Sequence, residues 1–256
     1  MIEINKIYNE NCLETMAKIP DCFVDLIITS PPYNKAGYEG FIRKRHEKDA
    51  WSSRNISYDN DASNDFMPED EYRLEQICVL NEMQRILKND GSIFYNHKIR
   101  VAQHKASHPI EWILKTNLTF RQQIIWNRKA SPAVAPIRFL PTTELIFWLT
   151  KTPCQPNFER NKNSLFLGEV WEFSAKPNKN HPAPFPEELP DNILMSVHKN
   201  KDFVVYDPYT GTGTTLLSAV KNQVNYLGSE ISKKYCELSE KRIDYYLKQQ
   251  VGKLDI

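Results

Sequence analysis

The sequence predicts an α/β protein built on a doubly wound, mostly parallel sheet. Three observations carry that prediction. Short apolar runs of strand length alternate with stretches of helical period, the pattern that builds parallel sheets with helices on both faces. The run Val24–Thr29 reads as a buried strand and stops abruptly at Ser30-Pro31-Pro32-Tyr33-Asn34. Near the other end, Phe203–Tyr206 reads as a second buried strand, and it runs into the glycine-rich Asp207-Pro208-Tyr209-Thr210-Gly211-Thr212-Gly213-Thr214-Thr215 and then a helix.

In chain order, Ile2–Tyr8 is an alternating strand candidate, Asn11–Ala17 a short helix, and Pro20-Asp21 a turn into the strand at Val24. The unit is strand, helix, strand. Two consecutive prolines fix φ and remove two backbone donors, so the ladder cannot continue past Ser30 and the chain is held in a rigid bend at the strand's carboxyl end. Open α/β sheets place their ligands there. Ser30 and Tyr33 stand on that stiff support, with the carbonyls of Ser30 and Pro31 available to a ligand. A hydroxyl, carbonyl acceptors and an aromatic face suit a planar base with an exocyclic amine, whose N–H groups the acceptors would hold while Tyr33 stacks on the ring. A proline-rich turn after a core strand is the competing reading.

Residues 35–65 combine Arg43, Lys44, Arg45, His46, Lys48 and Arg54 with Tyr38, Trp51 and Tyr58 and show no sustained period. They read as a long loop whose Arg43, Lys44, Arg45 and Lys48 would cover a nucleic-acid backbone; a solvated charged loop is the alternative. Glu69–Leu87 has helical spacing through Tyr72, Gln76, Val79, Leu80, Met83 and Leu87, and Asn89-Asp90-Gly91 is expected to end that helix as a cap and turn. Strands are expected at Ser92–Tyr95, Leu118–Trp126 and Glu144–Leu149, and a helix at Pro109–Lys115. The proline- and asparagine-rich tract around residues 130–180, from Thr150 onward above all, reads as an irregular insert.

His181-Pro182-Ala183-Pro184 leads to a helix at Glu187–His198. After the glycine-rich loop come a helix at Thr215–Lys221 and a strand at Asn225–Leu227 that ends in Gly228-Ser229-Glu230. A glycine loop after one strand and an acid after the next is the arrangement that holds a nucleotide-like cofactor, the acid facing the ribose hydroxyls. No lysine follows Gly213, as a triphosphate loop requires, and Leu216 stands where a dinucleotide loop has its third glycine. Asp207 would repel a pyrophosphate, but it suits the ammonium and sulfonium end of S-adenosylmethionine.

Composition bounds the rest. The chain has 256 residues and a formal net charge of +1, so nucleic-acid binding must come from local basic patches. Its mean hydropathy of -0.56 and the lack of a long apolar run argue against a membrane span, and the first six residues lack the basic and apolar regions of a signal peptide. Five scattered cysteines, none in C-x-x-C spacing, point to the reducing cytoplasm and to no structural metal.

Thr29-Ser30-Pro31-Pro32-Tyr33-Asn34 resembles the catalytic motif of the DNA amino-methyltransferases, and Asp207–Thr215 resembles their cofactor loop. The motif order is similar to that of the beta group, in which the catalytic motif precedes the cofactor loop and a variable segment separates them. The resemblance spans nearly the whole chain. It implies the fold of S-adenosylmethionine-dependent methyltransferases with an irregular target-recognition insert, S-adenosylmethionine as cofactor and duplex DNA as substrate. By the same resemblance residues 1–129 are a catalytic half, 130–180 the target-recognition insert and 181–256 the cofactor-binding half. Ser30, Pro31, Pro32 and Tyr33 are implied to be catalytic. Asn11 and Cys12 would lie beside the cofactor adenine, His181 and Pro182 would begin the segment lining its methionine end, and Glu230 would hold the ribose. Asp207, Tyr209, Thr210, Gly211, Gly213, Thr214 and Thr215 would complete that site. Two departures stand out: Tyr209 replaces the usual Phe, and Asn11 stands where Asp is common.

The expected reaction is direct methyl transfer to the exocyclic amine of a flipped base, with no covalent enzyme intermediate. Carbon-5 methylation would need a thiolate beside a proline in the active loop, and the one Pro-Cys pair, Pro153-Cys154, lies in the insert. Ser30 replaces the Asp or Asn of most adenine-specific relatives, which favours cytosine-N4 and leaves adenine-N6 open. A protein glutamine methyltransferase has the opposite motif order, and intact Ser30, Tyr33, Asp207 and Glu230 argue against an inactive DNA-binding module. A cognate restriction endonuclease as partner and a monomeric or homodimeric state are expectations by analogy.

Overall fold

The structure, a computed structural model, describes residues 2–34, 67–102, 105–129, 139–153, 155–160, 167–174 and 186–254. Arg43, Lys44, Arg45, Lys48, His181 and Pro182 lie outside the described residues.

Ten strands and six helices follow one another among the described residues as β1 (Lys6–Tyr8), α1 (Cys12–Lys18), β2 (Val24–Thr29), α2 (Glu69–Ile86), β3 (Leu87–His97), β4 (Arg100–Ala102), β5 (Lys105–Ser107), α3 (Ile110–Ile113), β6 (Thr119–Asn127), β7 (Thr143–Thr150), β8 (Val170–Glu172), α4 (Glu188–Leu194), β9 (Val204–Asp207), α5 (Thr214–Lys221), β10 (Asn225–Ser229) and α6 (Lys233–Leu254). The main sheet has eight strands in the order β1-β10-β9-β2-β3-β7-β6-β8. Strands β1, β10, β9, β2 and β3 run parallel. Strand β7 lies antiparallel between β3 and β6, and β8 pairs parallel with β6. From β2 the chain winds outward through β3, and from β9 it winds the other way through β10, so the switch point lies between β2 and β9. The doubly wound, mostly parallel sheet is the predicted one.

Alternation along the central strands explains the two layers. Ile27, Ile93, Tyr95, Val204 and Tyr206 face one core with Met16 of α1 and Val79, Leu80 and Met83 of α2. Leu26, Ile28, Phe94 and Val205 face the other with Ile193 of α4 and Ala219 of α5. A strand buried on both faces reads as a continuous apolar run, as Val24–Thr29 does. Leu26, Ile27 and Ile28 are fully buried, each worth about 1.5–3 kcal/mol relative to exposure. Helix α1 opens at Asn11, whose side-chain oxygen accepts the Leu13 N–H at 2.9 Å, a cap worth about 1 kcal/mol. Helix α2 carries Glu69, Asp70 and Glu71 in its first turn and Arg85 in its last, charges that suit the helix dipole.

Several expected elements differ. Asn89-Asp90-Gly91 does not form a helix cap: α2 ends at Ile86, β3 starts at Leu87, and the register with β2 jumps from Val24↔Leu87 to Leu26↔Ser92. The three turn-forming residues are a bulge within the strand. Lys88 pins it by bonding Asp25 at 2.7 Å, and a Cβ on Gly91 would lie 2.9 Å from the Asp25 carbonyl and 2.8 Å from the Leu87 side chain. The expected helices at 109–115 and 187–198 shorten to α3 and α4. Inside the 130–180 tract, β7 occupies a central place in the sheet, as its apolar run predicted, and β8 adds a short edge strand that buries Trp171. Helix α6 occupies a stretch for which no element was expected.

Candidate active site

The carboxyl ends of β2 and β9 lie side by side, and one hydrogen bond joins them: Thr29 Oγ1 donates to Asp207 Oδ1 at 2.8 Å. The two motifs, 178 residues apart in sequence, therefore meet at the switch point of the sheet, where open α/β folds bind ligands.

On the β2 side the bend is held by side chains from neighbouring elements. The Tyr72 hydroxyl of α2 donates to the Pro32 carbonyl at 2.7 Å and meets His97 Nε2 at 2.8 Å. Burial pushes the His97 imidazole down to about 3. Asn34 adopts a positive φ of 47° and closes the bend by exchanging two hydrogen bonds of 2.8 Å with the Met67 backbone. Tyr33 is 8% exposed; the His97 ring lies 4.8 Å from it and the Lys98 ammonium 5.0 Å above it.

The phenol oxygen of Tyr33 is the centre of a polar cluster that the sequence reading missed. Ser30 Oγ lies 2.8 Å away, Tyr33 donates to Glu144 Oε2 at 3.0 Å, and Asn96 Nδ2 donates to the phenol oxygen at 2.9 Å. Asn96 also reaches Glu144 Oε2 at 3.1 Å and Ser30 Oγ at 3.3 Å. Arg128 pairs with Glu144 Oε1 at 2.9 Å and donates to the Pro141 carbonyl. Glu144, Asn96 and Arg128 come from β7, β3 and the end of β6. Burial and the facing Glu144 carboxylate raise the Tyr33 phenol well above the ordinary range, so it stays neutral.

On the β9 side, Asp207 is 1% exposed. Its Oδ1 accepts from Thr29 and from the Tyr209 backbone N–H at 3.1 Å, while Oδ2 is buried with no partner among the described residues. Burial raises the carboxyl from 3.8 to about 6, only partly opposed by the Thr215 hydroxyl beside it and by the hydrogen bonds from Thr29 and Tyr209. A buried carboxylate with one orphaned oxygen fits a cationic ligand group. The loop beyond it depends on two left-handed glycines, Gly211 at φ 54° and Gly213 at φ 79°. Thr210 Oγ1 donates to the Asp207 carbonyl, and Thr214 and Thr215 are buried in the first turn of α5. Helix α6 braces the loop, since Ser239 Oγ donates to the Gly211 carbonyl at 3.2 Å and Arg242 donates to the Thr212 carbonyl.

Glu230, just beyond β10, accepts the Gly211 N–H on Oε2 and the Ser232 N–H on Oε1, both at 2.8 Å. The carboxylate is thus locked beside the loop, and burial raises its pKa. Asn9 ties the end of β1 to the Glu230 carbonyl at 2.9 Å, which brings Asn11 and Cys12 to the same end of the sheet. The Cys12 thiol is buried and pushed up to about 11, with the Tyr209 hydroxyl beside it acting in the opposite direction. The chemistry of these residues fits S-adenosylmethionine: a buried carboxylate with an unpaired oxygen, a glycine loop and an oriented acid lie together at the carboxyl ends of β9 and β10.

The family model described as DNA methylase, covering the N6 and N4 methyltransferases, matches residues 24–241. The chain belongs to this family. A DNA methylase of this kind is an S-adenosylmethionine-dependent enzyme that methylates an exocyclic amine of adenine or cytosine. Among curated proteins, the chain is 30% identical to "Type II methyltransferase M.HinfI" of Haemophilus influenzae, over 94% of this chain and 68% of that protein. It is 28% identical to "Type II methyltransferase M.BglII" of Bacillus subtilis, over 92% of this chain and 68% of that one. Among solved structures, the PvuII DNA methyltransferase, titled cytosine-N4-specific, superposes with a TM-score of 0.70 at 18% identity, covering 94% of this chain and 86% of that one. No described helix of this DNA methylase is long and apolar enough to cross a membrane.

Proposed function

We propose that this DNA methylase is a site-specific enzyme that extrudes one base from duplex DNA and methylates its exocyclic amine at the Ser30–Tyr33 bend, with cytosine-N4 as the target. The observation that carries the reading is the Thr29–Asp207 hydrogen bond, because it sets the amine acceptors directly beside the candidate cofactor loop. The sulfonium of bound S-adenosylmethionine supplies an electrophilic methyl group. Asp207 Oδ2 accepts the cofactor's cationic end, Gly211 and Gly213 shape the loop around it, and Glu230 faces the ribose hydroxyls. Asn11 and Cys12 border the adenine. Ser30 Oγ and the Pro31 carbonyl accept the two N–H groups of the target amine and favour a pyramidal, more nucleophilic nitrogen. Tyr33 stacks on the base, taking it in where the Lys98 ammonium now lies. Unstacking the base costs a few kcal/mol, offset by roughly 1–3 kcal/mol of stacking and by the new hydrogen bonds.

Ser30 favours cytosine-N4, since a short uncharged acceptor suits an amine held close to the bend. Arg43, Lys44, Arg45 and Lys48 bind phosphates, the parts of residues 130–180 outside strand β7 read the sequence, and His181 and Pro182 line the methionine end of the cofactor. The cited relatives' type II names support pairing with an endonuclease of the same specificity, in the cytoplasm where the chromosome lies.

The decisive experiment incubates the enzyme with methyl-labelled S-adenosylmethionine and unmethylated genomic DNA, digests the product to nucleosides and identifies the labelled one by mass. N4-methylcytidine is expected. N6-methyladenosine alone would overturn the base preference, and absence of label from DNA would overturn the function.

A further inference from the structure

Methylating an amine releases a proton, and the cluster around Tyr33 offers it a path. Tyr33 has one hydroxyl proton and donates it to Glu144 Oε2 at 3.0 Å. Its oxygen therefore faces Ser30 Oγ, 2.8 Å away, as an acceptor, and the Ser30 proton must point toward Tyr33. The direction of the chain is set from its far end: an ionised carboxylate can only accept. Ser30 Oγ is left with lone pairs, one of them loosely engaged by Asn96 Nδ2 at 3.3 Å. An acceptor is what the amine requires.

The cluster is poorly explained as a structural staple. Glu144 is 6% exposed, and a buried ion pair is seldom more stable than apolar side chains of the same volume. Among the described residues this one also leaves Arg128 Nε and Asn96 Oδ1 buried without partners, whereas polar networks built for stability are normally saturated. Arg128, just past β6, holds Glu144 Oε1, and Asn96 of β3 holds Oε2, the oxygen that also accepts from Tyr33.

We propose that Glu144 is the terminal acceptor of the proton lost by the target amine, reached through the Ser30 and Tyr33 hydroxyls. The proposal rests on the reading of Ser30 as an amine acceptor. As the nitrogen lone pair forms the new C–N bond, the S–C bond of the methyl donor breaks and its electron pair stays on sulfur. The nitrogen passes a proton to Ser30 Oγ, Ser30 passes its own to the Tyr33 oxygen, and Tyr33 passes its own to Glu144 Oε2. Both hydroxyls end neutral. A sulfonium and a carboxylate are converted into a thioether and a carboxylic acid, so the buried site gains no charge, and Glu144 returns the proton to water once the product leaves. Because each hydroxyl gains a proton as it gives one up, the burial that keeps Tyr33 neutral does not obstruct the path. Glu144 acts through Tyr33, and Arg128 and Asn96 are positioning residues.

The test measures single-turnover methylation of unmethylated genomic DNA by wild type, Glu144→Gln, Glu144→Asp, Tyr33→Phe and Ser30→Ala, in water and in mixtures with heavy water. General-base assistance of this kind contributes about 10²-fold or more, so Glu144→Gln and Tyr33→Phe are expected to slow the step by about that factor with cofactor and DNA affinities unchanged. Wild type is expected to show a solvent isotope effect that curves with deuterium fraction, as several protons move together; both variants lose the curvature, and Glu144→Asp recovers part of the rate. Wild-type rates in Glu144→Gln, or a slowed variant that keeps the curved isotope effect, would overturn the relay. Should Glu144→Gln fail to bind cofactor, Tyr33→Phe decides by the same criteria, because it removes one oxygen and keeps the ring. Full activity in Ser30→Ala would instead remove the amine-acceptor reading, and the relay with it.

Discussion

Replacing Asp207 with Asn separates what a buried carboxylate costs the fold from what it does for the ligand. Burial holds this carboxyl at about 6 instead of 3.8. The folded chain thus keeps the proton more readily than the unfolded one. Stability from the neutral form is fully present below pH 3.8 and is lost as the pH rises to about 6. Two pH units correspond to about 3 kcal/mol, the extent to which the ionised form burdens the ligand-free protein at neutral pH. In Asp207→Asn the side-chain oxygen keeps the bonds from Thr29 and Tyr209, and the amide nitrogen takes the place of the partnerless Oδ2. An unbonded buried amide costs about 1–3 kcal/mol. The variant is therefore expected to be from equally stable to about 2 kcal/mol more stable at neutral pH, its advantage shrinking toward acid. S-adenosylmethionine should bind about tenfold to a hundredfold more weakly, the loss of a charge-assisted contact of about 1.5–3 kcal/mol, and the wild type's loss of affinity below about pH 6 should vanish from the variant. Urea unfolding without ligand, repeated across that pH range, gives the first quantity and calorimetry the second. A variant less stable than wild type by the same amount at every pH would refute the reasoning, since the carboxylate would then be serving the fold.

Three further outcomes are expected. Gly213→Ala places a side chain at φ +79° with its Cβ 2.3 Å from Ser239 Oγ; a loss of about 1–3 kcal/mol is expected from the backbone alone. Adding Ser239→Gly should relieve the clash and leave that backbone part, as urea unfolding of the single and double variants would show. Tyr33→Ala should abolish methylation and leave cofactor affinity nearly intact; affinity falling as steeply as turnover would count against Tyr33 as the base platform. Replacing Arg43, Lys44 and Arg45 with Ala should weaken binding to all duplexes alike and lower the salt slope by roughly one per lost cation, and an unchanged slope in filter binding would remove these residues from the DNA path.

Both halves of the site were legible because prolines and glycines are local signals. Ser30-Pro31-Pro32-Tyr33 and the Asp207–Thr215 loop can be read without knowing what packs beside them. Glu144 could not: it read only as the first residue of an apolar strand, and its partner Tyr33 lies 111 residues earlier. A charge opening an otherwise buried run was the available clue. Asn96, Arg128 and His97 reach the site through strand pairing, which leaves no trace in any short window. The Asn89-Asp90-Gly91 misreading has a different cause, because the same residues serve a helix cap or a strand bulge, and the Lys88–Asp25 pair that decides between them is a tertiary contact. Helix α6 shows the same limit, since its hold on the glycine-rich loop depends on Ser239 and Arg242 meeting carbonyls of residues 211 and 212.

The pairing of β1 with β10 has a bearing on how the molecule is made. Lys6, Ile7 and Tyr8 register against Leu227, Gly228 and Ser229, and the Asn5–Asn225 contact beside them spans 220 residues. At a ribosomal rate of about 5–20 residues per second, the first strand waits roughly ten to forty seconds for its partner to emerge. Central strand β2 waits similarly for β9, its apolar run meanwhile bare on one edge. Closure of so long a loop is slow, so the nascent chain passes through an interval in which aggregation competes with folding. The Ser30–Tyr33 bend is synthesised early, but it cannot meet Asp207 until most of the chain has been translated, so the two halves of the candidate site come together late in synthesis.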